Sequence, residues 1–544
     1  MPQIDLRQLI ETFVADRGAL DRLYSIEASP SRRERLDRLF ADWQGVLADI
    51  SFESLDYDDQ VDLILLEEHL ARERRRLDIE AEWHREALRL LPFAEAIIGL
   101  EETRRRFEPS LPAQAADALD TISRVANSER ERIEIGAIVA EPHVGHRAAQ
   151  ILESLRDALK RWHSFYDEFD PLFTWWCDTP YSAADQALDE YSKVLKRHVV
   201  GIDPEDRDAV IGSPIGREAL LAELAFERIP YSPEELITIA EREFAWCDRE
   251  MVRAAGELGY GDDSGSALKH VKDLHEDPGG QPELVRRLAV EAVEFLRAHD
   301  LVTVPPLCEE TWRMEMMPPE RQKVAPFFLG GETIMVSFPT TGMTHAEKRM
   351  SLRGNNRYFS RATVQHELIP GHHLQQFMLA RHKPHRALFG TPFWIEGWAL
   401  HWEMLLWDLG FPRSPEERIG MLFWRRHRCG RIVFSLRFHL GEMSADECVD
   451  YLVERVGHER ANAAGEVRRS FGGDYPPLYQ LAYMIGGLQM RALHRELVGS
   501  ARMTNRDFHD AILEENQMPI EVLRHLLTRT PLTRPLPCTW RFAD

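Results

Sequence analysis

No CxxC pair occurs among the six cysteines, Cys177, Cys247, Cys308, Cys429, Cys448 and Cys538, which lie scattered through 544 residues. That scarcity excludes a disulfide framework and a thiolate zinc site, and it leaves reduced thiols in a cytoplasmic protein as the expectation. Positive charge is also in deficit: 67 Lys and Arg stand against 90 Asp and Glu, a net charge of −23. So acidic a chain has no general affinity for nucleic-acid phosphates or anionic membranes, and neither is an expected partner. Long apolar runs are missing too, each being broken by charge before the ~20 residues that a membrane span requires. The opening stretch, MPQIDLRQLIETFVADRG, lacks the basic-then-apolar build of a secretion signal.

What is present is helical period. Leu, Ile, Val and Phe recur at three- and four-residue spacing among Glu and Arg, as in LILLEEHLARERRRL from Leu63. Ser31 with Glu34, Ser232 with Glu235, Ser414 with Glu417 and Ser444 with Glu447 read as helix-starting capping boxes. The glycine-rich stretches from Gly259 and Glu276 mark the expected hinge between two helical halves, residues 1–260 and 261–544. Thr333 to Phe338, between Gly331 and Pro339, is a β-prone run that needs a partner strand. The expected fold is therefore mainly α, with two helical halves flanking a deep cleft and a small β-hairpin or sheet near the active site. An extended peptide could pair with the edge of that sheet.

The stretch QHELIPGHHLQ, from Gln365, carries the chemistry. A hydrolytic zinc site needs three protein ligands, an open position for water and a carboxylate to take the water's proton. The usual helical solution, HExxH, sets two histidines on one face with the Glu as base. After His366-Glu367, however, the i+4 position is Pro370, which cannot bind metal. Pro370 also lacks the N–H owed to the His366 carbonyl, so a kink or bulge is expected, eased by Gly371. On an undistorted helix His372 would be rotated about 120° from His366, and His373 would share its face about 10 Å further along. A local insertion of two residues would bring His372 into the i+4 slot, making it the preferred second ligand with His373 the alternative. Glu396 and Glu403, seven apart on one helical face in FWIEGWALHWE, supply a third ligand and an acceptor for a ligand histidine. Trp394, Trp398, Trp402 and Trp407 recur at the spacing of a packed helix face. Arg353 and Arg357 are candidates for gripping a substrate's terminal carboxylate, with surface salt bridges as the competing role.

HExxPGHHLQ followed by EGWAL resembles the bacterial family called domain of unknown function 885. That family in turn resembles the helical gluzincin peptidases, among them angiotensin-converting enzyme, thimet-type oligopeptidases and carboxypeptidase Taq. The resemblance implies a zinc metallopeptidase acting on short peptides. His366, His372 and Glu396 would be its metal ligands, Glu367 its general base, and Tyr483 its oxyanion donor; His373, outside that carry-over, is a further catalytic candidate of the motif itself. Tyr483 follows Pro477 by the family's six-residue interval. Leu478-Tyr479 replaces the family's Gly-Gln, and His401 stands where Tyr is frequent.

Overall fold

The computed structural model describes residues 5–206, 209–322, 330–471 and 475–543. The chain is mainly α and divides into two compact units, Met1–Ser51 with Leu66–Ser213, and Phe52–Leu65 with Pro214–Asp544. The expected division at residue 260 therefore falls inside the second unit, and so do the two glycine turns read as a hinge.

The first unit is built from α1 (Leu6–Leu23), α2 (Pro30–Ala48), most of α3 (Tyr57–Leu88), α4 (Ala94–Arg105), α5 (Pro112–Glu134), α6 (Pro142–Tyr166) and α7 (Pro171–Leu195). Ser29, not Ser31, caps α2 by accepting from the Arg32 amide, because Pro30 is already the first helical residue. Ser31 donates instead to Glu102. Leu119, Leu152, Leu159 and Leu188 close the core, with Trp162 edge-on to Phe173 at 5.2 Å. Each such side chain stabilises the unit by about 1.5–3 kcal/mol through burial.

The second unit continues with α8 (Gly216–Phe226), α9 (Pro233–Glu257), α10 (Ser264–Asp273), α11 (Gln281–Ala298), α12 (Pro306–Thr311), β1 (Arg313–Met316), α13 (Pro319–Gln322) and β2 (Thr333–Val336). Then come α14 (His345–Gly354), α15 (Arg357–Glu367), α16 (His372–Leu379), α17 (Pro392–Asp408), α18 (Pro415–His439), α19 (Ala445–Tyr451), α20 (Arg460–Phe471), α21 (Tyr479–Leu497), α22 (Asn505–Glu515) and α23 (Ile520–Thr528). Phe52–Leu65 belongs here because buried Asp62 accepts from Arg386 at 2.6 Å and from His385 at 2.9 Å. The Ser232 and Ser444 capping boxes form with Glu235 and Glu447, and Ser414 accepts from the Glu417 amide. Each such cap is worth about 1 kcal/mol.

The β-prone run pairs in parallel with β1, Thr333 opposite Arg313 and Val336 opposite Met316. It is a small sheet and not a hairpin, since an intervening segment returns β2 to the same direction. Ile334 and Val336 pack with Val364 and Leu368 at the end of α15 and with Leu284, Val285 and Leu288 of α11. That core holds the sheet beside the His366 helix.

Two glycine crossings bring the remaining helices close enough to share a site. A Cβ on Gly397 of α17 would lie 2.5 Å from the Gly486 carbonyl carbon of α21, and one on Gly420 of α18 would lie 2.1 Å from the Tyr358 oxygen of α15. Neither position has room for a side chain, so backbone meets backbone.

Candidate metal centre

The helix carrying His366 is broken rather than kinked. α15 ends at Glu367, a four-residue turn follows, and His372 opens α16. The Ile369–Pro370 peptide is cis. Within the turn Gly371 N donates to the Gln365 carbonyl at 3.0 Å, His373 N to Leu368 at 3.0 Å, and Trp398 Nε1 to the Pro370 carbonyl at 2.8 Å. Gly371 is required, because a Cβ there would sit 1.7 Å from the His366 carbonyl oxygen. The break does what an insertion would do, folding the chain back so that His372 faces His366.

Three ligand atoms then converge. Glu396 Oε2 lies 3.4 Å from His366 Nε2 and 3.3 Å from His372 Nε2. Among the described residues, this is the one group of three such side chains whose ligand atoms lie within 4.8 Å of one another, and all three residues are buried. Glu396 Oε2 has no hydrogen-bond partner. A tetrahedral ion with bonds of about 2.0–2.1 Å has edges of about 3.3–3.4 Å between ligand atoms, so both separations fit. Two imidazoles and a carboxylate are the donor set of a small divalent ion of zinc type.

Electrostatics favour positive charge in the cluster. Burial opposes protonation of both imidazoles, but Glu396 and Glu403 raise the pKa of His366, and Glu396 with Glu367 raises that of His372 to about 9. Burial opposes charge on Glu396 as well, yet the two imidazoles hold its carboxyl well below the usual range. Glu403 accepts from His366 Nδ1 at 2.8 Å, which leaves Nε2 free to be a ligand. His372 Nδ1 faces Gln375 Oε1 at 3.3 Å. Glu367 is half-buried at the end of α15. Gly330 lies against its side chain, where a Cβ would come within 2.5 Å of Oε2, and Gly331 N donates to its carbonyl at 3.3 Å.

Other candidates stand elsewhere. His373 Nε2 donates to the Cys308 carbonyl at 2.7 Å, away from the three converging atoms. Arg353 pairs with Asp273 at 3.1 Å and Arg357 with Glu276 at 2.8 Å, so both make salt bridges and neither is brought to the cluster. His401 is buried with Nε2 3.0 Å from His509 Nε2. Trp394, Trp398 and Trp402 are core. Tyr483 stacks on His366 with centroids 6.0 Å apart, and its hydroxyl donates to Tyr479 at 3.3 Å. Tyr479, which sequence reasoning treated only as a departure from Gly-Gln, donates to Glu396 Oε1. Its four-residue spacing from Tyr483 was the available signal.

A family model described as "Bacterial protein of unknown function (DUF885)" matches residues 14–527. The chain belongs to the DUF885 family. A solved structure described as "a putative lipoprotein of unknown function" from Shewanella oneidensis resembles this DUF885 chain with a TM-score of 0.70 at 17% identity, covering 97% of this chain and 100% of that one. A second, "the putative lipoprotein from Colwellia psychrerythraea", has a TM-score of 0.60 at 16% identity and covers 96% and 98%. Both likenesses concern the fold of the DUF885 chain. No curated protein matches it.

Proposed function

We propose that this DUF885 chain is a zinc-dependent metallopeptidase that hydrolyses short peptides, as the resemblance to helical gluzincin peptidases implies. The observation that carries the reading is the convergence of His366 Nε2, His372 Nε2 and the otherwise unpartnered Glu396 Oε2. Zinc held by these three atoms would supply Lewis acidity, lowering the pKa of a water toward about 7 and polarising a carbonyl.

The protein's own residues do the rest. Glu367 directly follows the ligand His366, and its carboxylate takes a proton from water and returns it to the departing amine. Glu403 holds the His366 tautomer. Tyr479 and Tyr483, in one hydrogen-bonded chain to Glu396, are the source of a hydroxyl for charge developing on the carbonyl oxygen.

The lipoprotein descriptions of the two fold neighbours support a location outside the cytoplasm, in place of the cytoplasmic expectation from composition. Among the described residues no helix is long and apolar enough to cross a membrane. Cell fractionation tests the location, and recovery in the cytosol alone would refute it.

Activity is tested by mass-spectrometric profiling of a mixed peptide library with protein purified without chelator. Cleavage that stops with chelator and returns with zinc is expected. Zinc below about half an equivalent, or stoichiometric zinc without any cleavage, would overturn the proposal.

A further inference from the structure

Beside the metal cluster, three arginines gather around Tyr483. Arg428 and Arg431 of α18 lie over its ring at 4.4 and 4.3 Å. Arg469 of α20 completes the group, sharing the buried Glu466 carboxylate with Arg431 at 3.0 and 2.7 Å respectively. Among the described residues two carboxylates pair with these guanidinium groups. One is Glu466; the other is Glu403, 3.5 Å from Arg428 and already accepting from His366. Arg428 Nε, Arg431 Nε and Nη1, and Arg469 Nε are buried with no hydrogen-bond partner, and the Arg431 side chain is 3% exposed.

Unpaired buried guanidinium donors cost stability, so a surplus held in place is best understood as a site awaiting an anion. Burial pushes the Glu466 carboxyl up, but Arg431 and Arg469 pull it down to about 2, so it is held as their paired carboxylate. The partly exposed members of the group lie on one side. Tyr475 and Tyr479 are half-buried with rings 4.2 Å apart, and the half-buried Arg469 lies over Tyr475 at 5.4 Å. Tyr479 links this side to Glu396. An anion entering here would therefore reach the arginines alongside the metal cluster.

We propose that Arg428, Arg431 and Arg469, with Tyr475 and Tyr479 at the mouth, form a subsite for one carboxylate of the peptide substrate. The proposal rests on the metallopeptidase reading. Among the described residues, three guanidinium groups against two carboxylates leave one charge to be matched, and a planar fork suits a carboxylate. Preferred substrates then carry a C-terminal carboxylate, or an Asp or Glu side chain, close to the scissile bond.

The test uses the full chain and matched peptides: free C-terminal acid, C-terminal amide, and amide with an internal Glu. The acid or the Glu peptide should exceed the plain amide in kcat/KM by about ten- to hundredfold, and which of the two does so identifies the carboxylate's source. Arg469→Gln should bring that ratio close to one, with Arg469→Lys intermediate. In parallel, chelator-treated protein is titrated calorimetrically with glutarate and with glutaramide, and only glutarate should bind, less so in Arg469→Gln. Cleavage without carboxylate preference would overturn the subsite and leave the peptidase reading standing. Selective glutarate binding without cleavage of any peptide would overturn the peptidase reading and the peptide assignment of the subsite, leaving a carboxylate-binding site. Equal responses to glutarate and glutaramide would also overturn the subsite, and Arg469→Lys keeps the comparison open if Arg469→Gln fails to fold.

Discussion

Gly371→Ala should abolish zinc binding at the proposed metal centre while leaving the fold in place. The added Cβ would stand 1.7 Å from the His366 carbonyl oxygen, whereas real Cβ contacts do not fall below 3.0 Å, so the turn must open by about 1.3 Å. The atoms on the other side of that contact are backbone, which cannot rotate away. Because the turn joins the two histidine ligands directly, the opening transfers to the spacing between His366 and His372. Metal sites tolerate about 0.2 Å in ligand distance, so a shift several times larger should weaken zinc binding by more than about hundredfold. The overpacking itself should cost about 1–3 kcal/mol, a fraction of the ~5–15 kcal/mol typical of a folded domain. Competition titration against a chromophoric zinc chelator measures the affinity, and far-ultraviolet circular dichroism with a thermal melt checks the fold. Gly45→Ala is the control, since that Cβ meets nothing within 4 Å. Wild-type zinc affinity in folded Gly371→Ala would refute the argument that this turn sets the ligand spacing.

Glu367→Gln should retain zinc and lose turnover; persistent activity would end its assignment as base. Replacing Glu403 by Gln removes the carboxyl acceptor on His366 Nδ1 and should lower zinc affinity about 10–100-fold, with an unchanged titration curve as the contrary result. His372→Ala should lose the metal and His373→Ala should keep it, because His373 is engaged with the Cys308 carbonyl; elemental analysis showing the opposite would exchange the two. Stability should fall in mild acid. Burial holds His439 at about 4 and His458 and His509 at about 3, against an ordinary 6.5. The unfolded chain binds these protons below about pH 6.5 and the folded one does not, so stability present above that pH is lost as pH drops. The slope is up to about 1.4 kcal/mol per pH unit for each histidine, about 4 kcal/mol for the three. A thermal midpoint that stays constant from pH 6.5 to 5.5 would contradict this.

The helical class was legible because amphipathic period is local: the run from Leu63 lies in α3, and Ser232 and Ser444 form the capping boxes that their spacing announces. The structure had to decide where two local signals competed or where pairing was nonlocal. Ser29 and Ser31 flank one proline, and the position of Pro30 in the first helical turn decided between them. The β-prone run from Thr333 says nothing about the direction of its partner, and the partner proved parallel. Tyr479 and the three arginines escaped notice as site residues because none has a motif of its own.

Sequence alone determined which side chains could serve as ligands and base. His366, Glu367, His372 and Glu396 are types that bind metal or move protons, and Pro370 with Gly371 forbids an unbroken helix between the histidines. Tertiary structure decided which of them meet. Ligand atoms within about 3.4 Å depend on how far helices approach, and that distance is set by Gly397 against Gly486 and Gly371 against the His366 carbonyl. Helical period fixes the face a residue occupies but carries no information on what crosses that face, so the approach of His372 to Glu396 and the Tyr479 bond to Glu396 emerge only when the helices pack.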